Sequence, residues 1–186
     1  VGSWKCRPRA TINRKLKKQM QNNLVERQVS ADAFLVSKTD VKGKITYCNV
    51  PFANIVGAKS EELIGKPHNI VRHPDMPKIV FQILWKYVKD KREVFAYVKN
   101  RSFDGGFYWV FANVTPSYDQ NGNIIGYYSV RRKPNPKALE IIAPLYERLL
   151  NAEKNGGMEA SGKILEQILD DKKVSYDELM NELQRL

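Results

Sequence analysis

The spacing of apolar and polar positions changes period several times along the chain, and each change predicts an element. "AFLVSKTD" (33–40) and "VKGKITYCN" (41–49) read as strands, the second alternating Ile45 and Tyr47 against Thr46 and Cys48. The turn at Lys42–Gly43 makes the pair a hairpin. After Asn49 the period lengthens. Phe52, Ile55 and Val56 fall at helical spacing, closed by Gly57, and Ser60 with Glu61 and Glu62 opens a second, short helix. "MPKIVFQILWKYVKDKR" (76–92) is a longer helix with Pro77 in its first turn and an apolar face through Ile79, Val80, Ile83, Leu84, Tyr87 and Val88. Three strand-like runs follow at 93–106, 107–123 and 124–134, separated by Asp104–Gly105–Gly106 and by Gln120–Asn121–Gly122–Asn123.

The order ββαααβββ predicts an α+β domain, an antiparallel five-stranded sheet with a helical crossover on one side, over residues 33–134. Residues 20–32 form an N-terminal cap, read as a short polar helix over 20–31. Residues 135–186 form a helical C-terminal extension, with apolar stripes at 137–155, 159–173 and 175–186 and a break at Gly156–Gly157. These stripes are too short to bury themselves, so they pack on the sheet domain or on another chain.

Charge alters the picture mainly by where it sits. The chain of 186 residues carries a formal +11, but seven Lys and Arg and no acid fall in residues 1–19, so the remainder carries only +4. The leader, followed at once by Met20, is read as vector-derived; a basic arm for nucleic acid or anionic lipid is the functional alternative. Without it, nucleic-acid binding has little electrostatic support. No apolar run of about 18 residues occurs, which argues against membrane insertion. Cys6 and Cys48 are the only cysteines, too few for a disulfide scaffold, and point to a reducing cytoplasm.

The segment with most chemistry is "KPHNIVRHPDMP" (66–77), which holds both histidines and three of the nine prolines. Pro67, Pro74 and Pro77 make it stiff. Arg72 offers a planar fork of donors for phosphate or for ring carbonyls, His73 can donate or accept, and Asp75 can orient either or cap the helix that follows. His68 and His73 lack the spacing of a structural zinc site, though a single histidine could ligate haem. Asn49 is either a pocket amide or a helix N-cap. Trp85, Phe95, Tyr108 and Trp109, with the strand amides Asn100 and Asn113, could wall an aromatic pocket; core packing is the alternative for each aromatic. No nucleophile–base pair, Walker motif or GxGxxG pattern supports an enzyme.

The stretches "SKTDVKGKITYCNVPFANIVGAKSEELIGKPHNIVRHPDMPKIVFQILW", "VKNRSFDGGFYWVFANVTP" and "GYYSVRRKP" closely resemble the flavin-binding PAS domain of bacterial aerotaxis receptors (Aer-type), over about residues 33–134. The resemblance implies a PAS fold, FAD as cofactor, and flavin contacts from Arg72, His73 and Asp75, with His68 and Asn49 at matching positions; Trp85, Phe95, Asn100 and Asn113 complete the candidate flavin-binding set as pocket walls and amides. Two positions depart from the family pattern: Phe95 stands where tryptophan is usual, and Gly106–Phe107 replaces a usual Asp-His. The chain resembles the stand-alone PAS proteins of bipartite energy-taxis systems. That implies a cytoplasmic redox sensor, homodimeric, signalling to a membrane chemoreceptor or HAMP-type protein. A cofactor-free dimerisation scaffold and a haem gas sensor are the alternatives.

Overall fold

The computed structural model describes residues 25–186. Strands β1 (Leu35–Asp40) and β2 (Ile45–Cys48) pair through a turn in which Gly43 has φ 78°, a left-handed conformation that favours glycine. Helices α1 (Val50–Val56) and α2 (Ser60–Leu63) follow, then a 3-10 turn at His68–Val71 and helix α3 (Lys78–Lys89). Strands β3 (Val94–Arg101), β4 (Phe107–Tyr118) and β5 (Ile124–Arg132) complete one antiparallel sheet of order β2-β1-β5-β4-β3. Helices α4 (Pro136–Lys172) and α5 (Tyr176–Gln184) close the chain.

The first and last strands are central neighbours, paired from Leu35↔Arg131 to Asp40↔Gly126. Gly126 is required there, because a Cβ at this position would run into the Thr39 carbonyl. The segment α1–α3 covers one face of the sheet and buries Phe52, Val56, Leu63, Val71 and Val88 against it. This inner face carries the candidate site.

The C-terminal extension covers the opposite face over β3 and β4. The Tyr146 hydroxyl donates to the Tyr97 carbonyl (2.8 Å), and the Tyr146 ring lies 6.0 Å from that of Trp109. The Tyr97 hydroxyl donates to Gln184 Oε1 (3.0 Å), while Asp177 accepts from the Phe95 N–H (3.2 Å). Ile142, Leu149, Leu165 and Met180 are consequently buried. Of the two partners the apolar stripes allowed, the chain's own sheet is the one they meet. Gly156 and Gly157 leave helical geometry, the latter at φ 70°, and split α4 into two limbs.

One expectation fails. The part of the helix expected over 20–31 that falls within the described residues is extended: Arg27 N–H donates to the Phe107 carbonyl (2.7 Å) and Phe107 N–H to the Val25 carbonyl (3.0 Å). Weak amphipathicity loses here to backbone pairing, which Gly106 permits because a Cβ there would crowd the Val25 oxygen. The leader 1–19 and residues 20–24 lie outside the described residues. Among the described residues no helix is long and apolar enough to cross a membrane.

With Leu149 in the shared core, Leu149→Ala should lower the unfolding free energy by about 2–5 kcal/mol. Urea titration followed by both far-UV circular dichroism and tryptophan fluorescence should give coincident midpoints; a separate early transition for the extension would show that it is not part of the same cooperative unit.

Candidate ligand-binding site

Between the inner sheet face and α3 lies a cavity of about 270 Å³, just below the roughly 300–1,000 Å³ common for small-molecule sites. Two-residue strand periodicity decides who reaches it. From β3 come Val98 and Asn100, from β4 Ala112 and Val114, from β5 Tyr127, Ser129 and Arg131, and from β1 Ser37 and Thr39. Helix α3 supplies Phe81, Leu84, Trp85 and Val88 at helical spacing, and the 66–77 segment supplies His68 and Arg72. Exposed Lys42 and Asn69 belong to the same lining.

The site is organised around Arg131, which is 4% exposed. Its guanidinium donates twice to Ser37 Oγ (3.1 Å each) and once to His68 Nε2 (2.8 Å), and lies 5.2 Å from the Phe52 ring. Arginine has only donors to offer, so Nε2 must accept and His68 is neutral with its proton on Nδ1. Burial, reinforced by the Arg131 charge, depresses the His68 pKa to about 3. Burial also lowers Arg131, to about 10, so the guanidinium remains charged at neutral pH. Among the described residues no carboxylate pairs with it.

Around this cation are polar atoms without well-formed hydrogen bonds. Asn100 Nδ2, the Ser129 hydroxyl and the Tyr108 hydroxyl are sealed from solvent and lack a hydrogen bond of normal geometry, Asn100 and Tyr108 acting on each other. Asn100 and Tyr108 face each other across β3 and β4. Each such group costs about 1–3 kcal/mol unless something meets it. A planar ligand with an apolar body and carbonyl or ring-nitrogen edges fits this mixture of aliphatic walls and unsatisfied donors.

Arg72 stacks its guanidinium 4.0 Å from the Phe81 ring centroid and donates to the Met76 carbonyl (3.2 Å). Trp85 packs edge-on to Tyr127 with centroids 5.2 Å apart. Thus His68, Arg72, Trp85 and Asn100 of the predicted set come together at the cavity.

The other five do not. Asn49 caps α1: its Oδ1 accepts from the Val36 and Phe52 N–H groups (3.0 and 3.1 Å) and its Nδ2 donates to the Phe34 carbonyl (2.7 Å), which ties the amide to the backbone of β1 and α1. His73 is buried beside the sheet edge, its ring against Phe107 and its Nδ1 accepting from the Asp75 N–H (3.2 Å). Asp75 pairs with Lys99 (2.7 Å) and does not cap α3. Desolvation pushes its carboxyl up, but the Lys99 hydrogen bond and the neighbouring positive charges of Lys99 and Lys154 together outweigh it and hold the carboxyl below the ordinary value. Phe95 and Asn113 are register partners on the outer sheet face. There Phe95 stacks on Phe111 (5.7 Å) and Asn113 donates to Glu93 (2.9 Å). Strand parity puts both on the wrong side: in β3, Asn100 and Phe95 are an odd number of residues apart. The same parity puts Trp109 outside and Tyr108 inside.

Sequence reasoning missed Arg131, Ser37 and Ser129. In "GYYSVRR" the apolar alternation Tyr128–Val130 marks the face opposite to the one that is buried against the helices, so the pattern hides them.

Comparisons agree with this architecture. Residues 45–131 match the model for the PAS fold. The aerotaxis receptor of Escherichia coli (strain K12) is 41% identical over 118 residues, 63% of this chain and 23% of the receptor. The chain therefore spans under a quarter of that relative's length. Among solved structures, the PAS domain of a Colwellia psychrerythraea protein superposes with a TM-score of 0.50 at 21% identity, covering 54% of this chain and 85% of that one. A light-oxygen-voltage domain studied with a flavin analogue gives a TM-score of 0.53 at 18% identity, covering 73% and 96%.

Because folded His68 resists protonation while unfolded histidine titrates near 6.5, acid favours the unfolded chain. The His68 contribution is whole above pH 6.5 and is lost as pH falls from there toward 3, at up to about 1.4 kcal/mol per pH unit. The stability difference between wild type and His68→Gln should narrow over this window, and NMR should show the His68 ring neutral at pH 5; a protonated ring there would refute the assignment. On the described residues, this chain has a PAS fold.

Proposed function

We propose that the cavity binds FAD and that the protein is a redox sensor of the energy-taxis kind. The observation that carries this reading is the buried Arg131 guanidinium, with no carboxylate beside it among the described residues, next to Asn100 Nδ2 and the Ser129 hydroxyl, which lack a hydrogen bond of normal geometry. The electron-poor ring of a flavin has carbonyl and nitrogen edges that such donors recognise. Val98, Ala112, Val114, Leu84 and Trp85 supply apolar contact for the ring faces. Lys42 and Arg72 are the cations that would hold the phosphates. Bound flavin would supply reversible electron uptake; the chain's part is to bind the ring, shield it and answer its change of charge through Arg131, His68 and Asn100.

Support also comes from the 41% identity to the Escherichia coli aerotaxis receptor. None of the cavity-lining residues is a cysteine; Cys48, buried on β2 across from Ser37, is not part of the lining, which favours electron transfer over a thiol adduct. His68 Nε2 is held by Arg131, which disfavours axial ligation of haem. We further propose that the chain acts in the cytoplasm without enzymatic turnover, as a homodimer reporting to a separate membrane chemoreceptor of HAMP type.

Freshly purified protein, or protein refolded with FAD, should show paired near-ultraviolet and blue absorption bands at about one flavin per chain. Arg131→Ala should abolish uptake and Asn100→Ala should weaken it by about tenfold, the worth of one buried hydrogen bond. A Soret band, or no chromophore after FAD is offered, would overturn the proposal.

A further inference from the structure

We infer that Glu153, in the C-terminal extension, is a positioning residue for the ligand pocket, so that docking of the extension and occupancy of the pocket are energetically coupled. The inference rests on the flavin reading. It begins with α3, the helix that walls the cavity. Its N-cap is Pro77, which has no side chain able to accept, so its first N–H groups need a partner from elsewhere. Glu153 provides it: Oε2 accepts from Lys78 N–H and Oε1 from Ile79 N–H, both at 2.9 Å. A carboxylate at this end of a helix also meets the positive end of the helix dipole.

The same carboxylate reaches two further parts. Ser161, fully buried on the second limb of α4 beyond the Gly156–Gly157 break, places its hydroxyl 3.2 Å from Oε1. On the pocket side, the charge of Glu153 acts on the Arg72 guanidinium and opposes the effect of burial on it. Arg72 in turn lies on Phe81, one of the α3 residues facing the cavity. One side chain therefore joins the start of α3, the pocket arginine and both limbs of the extension. A ligand that draws on Arg72 or presses on α3 works on this junction, and by reciprocity the junction sets ligand affinity.

The test is FAD titration of the full chain, wild type against Glu153→Ala, Glu153→Gln and the exposed control Glu166→Ala, with hydrogen exchange read in parallel. Glu153→Ala should weaken FAD binding by about tenfold, within the usual range of coupling between sites. Glu153→Gln, which keeps one acceptor oxygen and loses the charge, should fall between, and Glu166→Ala should match wild type. FAD should raise amide protection over residues 158–172 in wild type, and this rise should vanish in Glu153→Ala. If Glu153→Ala does not fold, Glu153→Gln carries the same comparison. Equal FAD affinity in wild type and variants, or protection of 158–172 indifferent to FAD, overturns the coupling alone. Failure of wild type to bind FAD overturns the flavin reading and the inference with it.

Discussion

A guanidinium held inside the sheet–helix core by a serine and a neutral histidine governs this structure. Burying a charge without an opposite charge is expensive, of the order of several kcal/mol even after relaxation. The fold tolerates it through three hydrogen bonds to Ser37 and His68 and an aromatic face from Phe52. Those partners come from β1, the 3-10 turn and α1, while Arg131 itself is on β5. The central β1–β5 pairing, the seating of the 66–77 segment and the wall of the cavity are therefore all referred to a single cation. His68 follows from it: beside that charge it cannot protonate in the ordinary range, so it serves as an acceptor.

Much of the architecture is legible from periodicity and turn chemistry. The helical crossover, the three C-terminal strands and the glycine break in the extension fall close to where hydrophobic spacing puts them, because each is specified by residues within its own segment. The site is less legible, for a reason visible in β3 and β4. Which of Phe95 or Asn100, Tyr108 or Trp109, faces the cavity depends on parity, and aromatic residues occupy both faces because α4 and α5 bury the outer one as well. A sheet buried on both sides lacks the polar outer positions that normally reveal its orientation. Arg131 illustrates the same loss, adjacent as it is to exposed Arg132 in a strand whose Tyr128 and Val130 side chains point the other way.

The 66–77 segment divides its roles between two sides of the sheet edge. His68 and Arg72 turn to the cavity, whereas His73 and Asp75 turn to Phe107 and Lys99 and lock the segment to β3. The His73 N–H donating to the Lys99 carbonyl (3.3 Å) and the Arg72–Asn100 bridge anchor the backbone between them. Residues that share one motif thus divide into those that face a ligand and those that hold the frame, and substitution of either kind would disturb binding by a different route.

The closing helix returns to the place where the extension departs. Gln184 Oε1 accepts from the Asn135 N–H (3.0 Å), and its Nε2 donates to the Lys133 carbonyl (3.2 Å), immediately after β5. Residues 136–183 are therefore a loop in the topological sense, with its two ends stitched together. A domain fused beyond Leu186 would leave the molecule beside the last strand of the sheet, almost as if the extension had been spliced out. Motion of β5 would reach such a domain through this stitch without passing along the helices at all.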